Sequence, residues 1–496
     1  MALAKKADTV LLCLGLDELR ESEGLDRSDM KLAENQHQLL AAVAAVNPNV
    51  VVLLSAGAPV ETPWAGQCRA LVYGALGGQA GAGAAADILT GKLCPCGKLS
   101  QTWAQAHDDT PAKANFGGEG RNVEYREGLY VGYRYYQTAG VPVAFPFGYG
   151  LSYTTFTQEM GAISESNGTI TFDVTVTNTG DVAGKDVVEV YYNPPYVSGG
   201  IEKASANLIA FDKTDLLEPG ASQTLTISFD AEDMASYDTY GAGAYVLEAG
   251  DYAISINSDA HTAIASQTYN VPTTITYGDT SPRSTDAVAA SNQFAFAEGD
   301  VTYLSRANGF ANYDEATAAP TNFTMDEETK ATFYNNSNYD PNEFNNPDDE
   351  MPTTGAKNGL KLEQLRGVDY DDPQWDELLD QMTVSEMDTL IAIGGYQTSA
   401  INSIGKVQTI DCDGPASINN NFTGKGSIGF PAAVMIAATW NVDLANDFGE
   451  RIGKMADEMG VSGWYAPAMN THRSASPAVT SSTTLRTAFW AATWLP

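Results

Sequence analysis

Apolar and polar positions follow different periods in different stretches of the chain. Residues 8–14 form a short apolar run closing on Gly15, as a buried strand would. Within 33–46, Leu39, Leu40, Val43 and Val46 fall at helical spacing, and Asn47-Pro48-Asn49 ends that helix. Residues 50–54 are apolar without interruption and rich in valine, and a second helical stretch over 80–89 stops at Gly91. Unbroken apolar strands alternating with helices predict an α/β layer on a parallel sheet.

The period changes to two between residues 160 and 270. Ile170, Phe172, Val174 and Val176 alternate with polar residues, as do Val188, Val190 and Tyr192, then Leu225, Ile227 and Phe229, then Tyr252, Ile254 and Ile256. Turn dipeptides (Asn167-Gly168, Thr179-Gly180, Pro219-Gly220, Ala249-Gly250) separate them, which predicts a β-sandwich. From 271 to 372 apolar periodicity is lost, and 334–350 is rich in Asn, Asp and Pro; the stretch reads as a solvated acidic linker or irregular insertion. Helical spacing returns at Trp375, Leu378, Leu379 and Met382. It is followed by the strand-end sequence Ile410-Asp411-Cys412-Asp413-Gly414-Pro415, a helical stretch over 443–459, and Tyr465-Ala466-Pro467. Helix, strand-end loop, helix and strand in that order predict the opening of a β/α barrel. The expected fold is thus multidomain, α/β plus all-β. A partial α/β sandwich covers 1–155, a β-sandwich 156–272, a linker 273–358 and the start of a barrel 359–473, with a tail at 474–496 of no clear period.

Composition narrows the function. The 496 residues, 43% apolar, leave room for roughly three domains of ~150 residues. Acidic residues outnumber basic ones 62 to 27, for a net charge of −35. That polyanion disfavours nucleic acid and anionic membranes as partners, and leaves a neutral or cationic substrate. No apolar run reaches the ~18–20 residues that a spanning helix needs. The opening residues read as leading into a strand, not as a secretion signal. Five cysteines, an odd number, argue against a disulfide framework and point to the cytoplasm; the chain also reads as lacking the front half of its α/β sandwich, and a missing N-terminus is the place for an export signal or membrane anchor. Cys94-Pro-Cys96 lacks C-x-x-C spacing and the four histidines are scattered, so no metal is expected.

Four stretches carry a resemblance. Glu21-Ser22-Glu23-Gly24-Leu25-Asp26-Arg27, with Met30-Lys31-Leu32 and Gln36, resembles the acid/base loop of glycoside hydrolase family 3. Residues 91–99 with Thr102-Trp103 resemble the segment that closes the same domain. Residues 125–135 and 146–153 resemble the tail leading into that family's fibronectin type III-like domain. Asp413-Gly414-Pro415 with Ala438-Thr439-Trp440-Asn441 resembles the family's barrel opening. The family usually runs barrel, α/β sandwich, fibronectin-like domain. Here the barrel piece comes last, an order that some of its β-glucosidases share.

The resemblance implies hydrolysis of terminal β-linked glucose or xylose with retention, by two carboxyl groups and without a cofactor. It makes Glu23 the proton donor, with Glu21 the second choice; on the residues alone, 21–27 reads first as a solvated charged loop with Arg27 pairing Asp26. It places Asp413 on the sugar hydroxyls of the glycone subsite, where the plain alternative is a turn aspartate bonding its own backbone. Arg473 would stand near the same subsite. Trp440 and Trp64 read as core in preference to sugar platforms.

The family's nucleophile is an Asp in a Ser-Asp-Trp context. None occurs here: Ser28-Asp29 and Ser258-Asp259 lie in the wrong domains, so the nucleophile is expected to be absent from this chain. A full barrel takes ~250 residues, and the barrel piece is shorter, so the chain reads as an inactive fragment of a larger enzyme. The tail reads as out of frame: back-translating 474–496 with permitted codons and shifting by two bases allows a peptide resembling the family's barrel continuation. The competing expectation is a non-catalytic carbohydrate-binding or assembly module.

Overall fold

A computed structural model of the chain describes residues 1–22, 26–116, 124–293, 295–297, 301–319, 327, 331, 340–420, 422–468 and 471–475. The chain forms two compact units. One comprises 1–323, 430–446 and 468–496; the other comprises 324–429 and 447–467.

The first unit opens with the predicted α/β layer. Strands β1 (Val10–Gly15), β2 (Val50–Ser55) and β3 (Ala70–Tyr73) lie parallel in that order. Helix α1 (Glu34–Ala44) returns the chain from β1 to β2 and buries Leu40 and Val43, while its periodic neighbour Leu39 is exposed. Helix α2 (Gly81–Leu89) follows β3. Leu12, Leu14, Val50, Val52, Leu54 and Trp64 fill the core between sheet and helix. Trp64 is therefore packing, as expected, and its indole N–H donates to Glu61 O. A short ladder of β4 (Trp103–Ala104) and β5 (Val143–Phe145), with helix α3 (Tyr133–Ala139) between them in sequence, leads out of this layer.

The alternating stretch folds as two stacked sheets. One has the order β10 (Asn207–Lys213), β9 (Val187–Asn193), β14 (Gly250–Asp259), β15 (Thr262–Val271). The other runs β11 (Ser222–Asp230), β8 (Thr169–Asn178), β6 (Phe156–Met160), with β7 (Ser164–Ser166) also on β8. Strands β12 (Ser236–Asp238), β13 (Ala244–Leu247) and β16 (Ile275–Tyr277) make a small third sheet. Asn167 and Gly168 both have positive φ, +53° and +88°, in the turn from β7 to β8, the backbone a tight hairpin requires. The apolar positions named from the two-residue period meet in one core, among them Ile170, Phe172, Val190, Ile227 and Ile254.

Strand β9 departs from the simple alternation. Val188, Val190 and Tyr192 face that core, yet Val187, Glu189 and Tyr191 are buried too. Their face meets a second cluster built from Tyr133 of α3, Phe147, Leu208 and Trp440. Trp440 is fully buried there, near Phe147 (5.2 Å) and Phe211 (5.3 Å), and its indole N–H donates to Lys98 O at 3.2 Å. It is core, as the sequence predicts. The segment expected to be a solvated linker is only partly so. Residues 345–351 are exposed, but Leu304 and Ala316, the latter in α4 (Tyr313–Ala316), are buried with Tyr130 and Tyr135. These few contacts, made by aromatic rings and spaced irregularly, leave no period in the sequence.

In the second unit, helices α5 (Gln374–Leu379) and α6 (Val384–Ala392) precede a set of short strands. Thr383 begins α6 with a capping box: its hydroxyl accepts from Glu386 N–H, and Glu386 accepts from Thr383 N–H. Leu365, Leu378, Met382, Ile401 and Ile404 form its core. Strand β17 (Gln397–Thr398) pairs with β18 (Thr409–Asp413), which joins β19 (Asn419–Asn420) and β20 (Lys425–Gly426) in an antiparallel path. Helix α7 (Ala433–Ala437) belongs to the first unit, α8 (Val442–Met459) begins there and continues into the second, and in the second unit strand β21 (Gly463–Tyr465) returns parallel to β18. This is the βα repeat a barrel opens with; no closed barrel forms among the described residues. The tail read as out of frame lies, from residue 476 on, outside the described residues.

Candidate active site

Strand β1 delivers the chain to the acidic loop. Gly15 ends the strand where a Cβ would sit 2.1 Å from Ser55 O, so no other residue fits. Gln36 then clips the backbone there, accepting from Gly15 N–H at 2.9 Å and donating to Gly15 O at 2.7 Å. Beyond it, Glu21 turns inward. Its Oε2 accepts the N–H of Gly57 at 3.0 Å, in the turn after β2, and its buried Oε1 has no partner. Burial pushes this carboxyl above the ordinary carboxylate range, opposed by the Gly57 bond and by Arg27.

Arg27 also turns inward, 8% exposed, and donates from Nη1 to Pro59 O and to Ala475 O, each at 3.3 Å. Burial lowers its affinity for the proton, and the nearby Glu21 carboxylate raises it. Met30 is buried as well and accepts the N–H of Glu61 at 2.7 Å. The loop is thus fastened at both feet to one turn, 56–61, by Glu21 on one side and Arg27 on the other. Glu23 lies between the feet and outside the described residues.

Arg473 belongs to the same unit, two positions before the carbonyl that receives Arg27. Its Nε and Nη2 grip both oxygens of Glu127, and Nη2 also donates to Glu124 O at 3.3 Å. The two side chains are 8% and 3% exposed. The guanidinium lies 4.0 Å from the ring centre of Tyr125. A cavity of about 20 Å³ opens beside the pair, walled by Thr102, Tyr130 and Tyr136 among others. That volume is enough to hold ordered water. Arg473 is therefore engaged by a protein carboxylate in this conformation. Sequence reasoning placed Glu127 within a resembling stretch but missed its pairing, which joins residues far apart in the chain.

Asp413 belongs to the second unit. It is exposed at the end of β18; Oδ1 accepts from Gly414 N–H at 2.9 Å and Oδ2 from Tyr396 Oη at 3.4 Å. Gly414 has no room for a side chain, since a Cβ would lie 2.5 Å from Trp464 Nε1. Three aromatic rings gather beside the aspartate: Tyr396 lies 5.5 Å from Phe422 and 5.4 Å from Tyr465. Phe422 and Tyr465 are 82% and 54% exposed. A carboxylate with open aromatic faces matches the polar edges and apolar faces of a pyranose. The trio was missed because its members come from three separate short segments, none with a period. The described residues contain no cluster of His, Cys, Asp and Glu able to hold a metal ion. None of their helices is long and apolar enough to cross a membrane.

Residues 1–153 match the glycosyl hydrolase family 3 C-terminal domain, and 186–260 match the fibronectin type III-like domain. The chain belongs to glycoside hydrolase family 3. Family 3 relatives include thermostable β-glucosidase B of Acetivibrio thermocellus, 38% identical over 276 residues, or 55% of this chain and 36% of that protein. β-Glucosidase A of Butyrivibrio fibrisolvens is 30% identical over 507 residues, covering 94% of this chain and 59% of that one. A solved β-glucosidase from Paenibacillus barengoltzii superposes with a TM-score of 0.74, covering 99% of this chain and 54% of that structure; at 24% identity it supports the fold. The chain thus spans between about a third and three-fifths of the length of these family 3 proteins. The acidic loop and Glu127 both fall in the family's C-terminal domain, whereas Asp413 and Arg473 lie outside the matched residues.

Proposed function

We propose that the protein hydrolyses terminal β-glycosidic bonds with retention, on a glucoside or xyloside. Glu23 donates the proton to the leaving oxygen and then activates water. Asp413, with the faces of Tyr396, Phe422 and Tyr465, holds the terminal sugar. The second carboxylate attacks the anomeric carbon from ~5–5.5 Å away in retaining enzymes; with no Ser-Asp-Trp sequence in the chain, this reading assigns it to no residue here. The observation that carries the reading is the pair of inward anchors, Glu21 and Arg27, which hold both ends of the acidic loop on one turn. A loop serving only solvation has no need of buried feet. In this arrangement Glu21 supports the loop, and the proton donor is the glutamate between the anchors.

The test is release of p-nitrophenol from p-nitrophenyl β-glucoside by the full-length gene product. Glu23→Gln is expected to lower kcat about 10²–10⁴-fold, the range for loss of general acid–base assistance. An unchanged rate removes Glu23 from the mechanism. The absence of a Ser-Asp-Trp sequence favours a second reading, a sugar-binding module without turnover. Glucose binding that Tyr396→Ala weakens, with no hydrolysis of any aryl glycoside, would establish that alternative.

A further inference from the structure

Glu189 was expected on the polar side of an alternating strand, and it is wholly buried. Its Oε2 accepts from the hydroxyl of Tyr191 at 2.8 Å, while Oε1, also buried, has no partner. Asn257 stands directly opposite in the β9–β14 ladder. Register partners project on the same face with Cβ atoms ~4.5–5.5 Å apart. Asn257 donates its amide to Asp259 O at 3.2 Å, and its buried Oδ1 is likewise without a partner. Two buried acceptors on register partners, neither with a donor, are one hydrogen atom short.

We propose that Glu189 is a neutral acid whose O–H is donated to Asn257 Oδ1, so that a single buried proton ties β9 to β14 on the face of the sandwich that meets Tyr133, Phe147 and Trp440. The surroundings leave the ionised form poorly compensated. Lys98 is the nearby cation, and its Nζ is held 3.7 Å from Asp186 Oδ1 and 3.3 Å from Gly150 O. Asp186 and, from β14, Asp259 add negative charge near the carboxyl, and burial lowers the proton affinity of His261 beside Asp259, an effect the Asp259 carboxylate opposes. The other register partner, Phe211 on β10, is apolar, and Lys213 of that strand is committed to Cys96 O and Thr439 O. Gly148 presses bare backbone on the carboxyl, where a Cβ would lie 2.1 Å from Oε2. Burial accordingly raises the Glu189 carboxyl to about 8.

The sign follows from linkage. The folded state keeps this proton at pH values where the unfolded chain has lost it. The stabilisation is full below the ordinary glutamate value of 4.5, declines as pH rises, and is gone above about 8. Thermal and urea unfolding of the chain and of Glu189→Gln, which carries a donor at every pH, are compared from pH 5 to 9.5. The folding constant of the unsubstituted protein should fall relative to the variant by up to about tenfold per pH unit and level off near the upper end. Parallel pH profiles would overturn the proposal. Infrared difference spectroscopy provides a readout that needs no variant to fold. In the unsubstituted protein a protonated-carboxyl C=O band should be present at pH 7 and vanish by pH 10; its absence at pH 7 also overturns the assignment.

Discussion

The β-sandwich and the second unit are held together in different ways. Strands β8, β14 and β15 are each 10 residues long, whereas β17, β19 and β20 are 2 residues each. Long ladders let the sandwich bury every second side chain, and apolar burial between its sheets stabilises it. Two-residue strands cannot do this. In the second unit, side chains reach across to the backbone: Asn420 donates to Asp411 O at 2.7 Å, and its Oδ1 accepts from Phe422 and Thr423. Lys406 donates to Thr398, Ser399 and Val407. The sandwich therefore rests on buried area, whereas the second unit adds individual polar contacts to a small apolar core.

Substitutions can break or sharpen that contrast. The largest effect is expected for Ile254→Ala, at 0% exposure in the sandwich core, with a loss of about 3–4 kcal/mol read as a lower urea midpoint. A loss below about 1 kcal/mol would mean the sandwich does not depend on area. Next comes Asn420→Ala, which strands the Asp411 carbonyl and two loop amides; a loss of about 1–3 kcal/mol is expected, confined to the transition of the second unit. Little change there would return the second unit to ordinary apolar stabilisation. The smallest effect is expected for Ile391→Ala on α6, where the side chain is 83% exposed and the change should stay within about 0.5 kcal/mol. A larger loss would reveal that this isoleucine is covered in solution.

The contrast also explains what could be read before folding. Period-two burial made β8, β11 and β14 legible down to the residue, and Asn167-Gly168 announced its hairpin. The parallel β1–β2–β3 layer was equally visible as continuous apolar runs. Glu189 was not, because β9 is covered on both faces and alternation only describes strands with one wet side. Leu304 and Ala316 were not, because two apolar residues meeting an aromatic pocket leave no period. At the candidate site the acidic loop was recognisable. The inward turn of Glu21 was not, since it depends on Gly57, brought close only by the parallel pairing of β1 and β2. The Tyr396–Phe422–Tyr465 group shares that origin in tertiary pairing.

The bond from Trp440 to Lys98 O joins positions 342 residues apart. At about 5–20 residues per second, synthesis needs roughly 20–70 s to cover that interval. For the part of that time after Phe211 has been made, the nascent chain holds an unfilled apolar slot beside Phe147 and Phe211. Ribosome pausing, chaperone access and premature termination before residue 440 should all act on this waiting period, leaving a strand-rich intermediate whose last wedge has not been delivered.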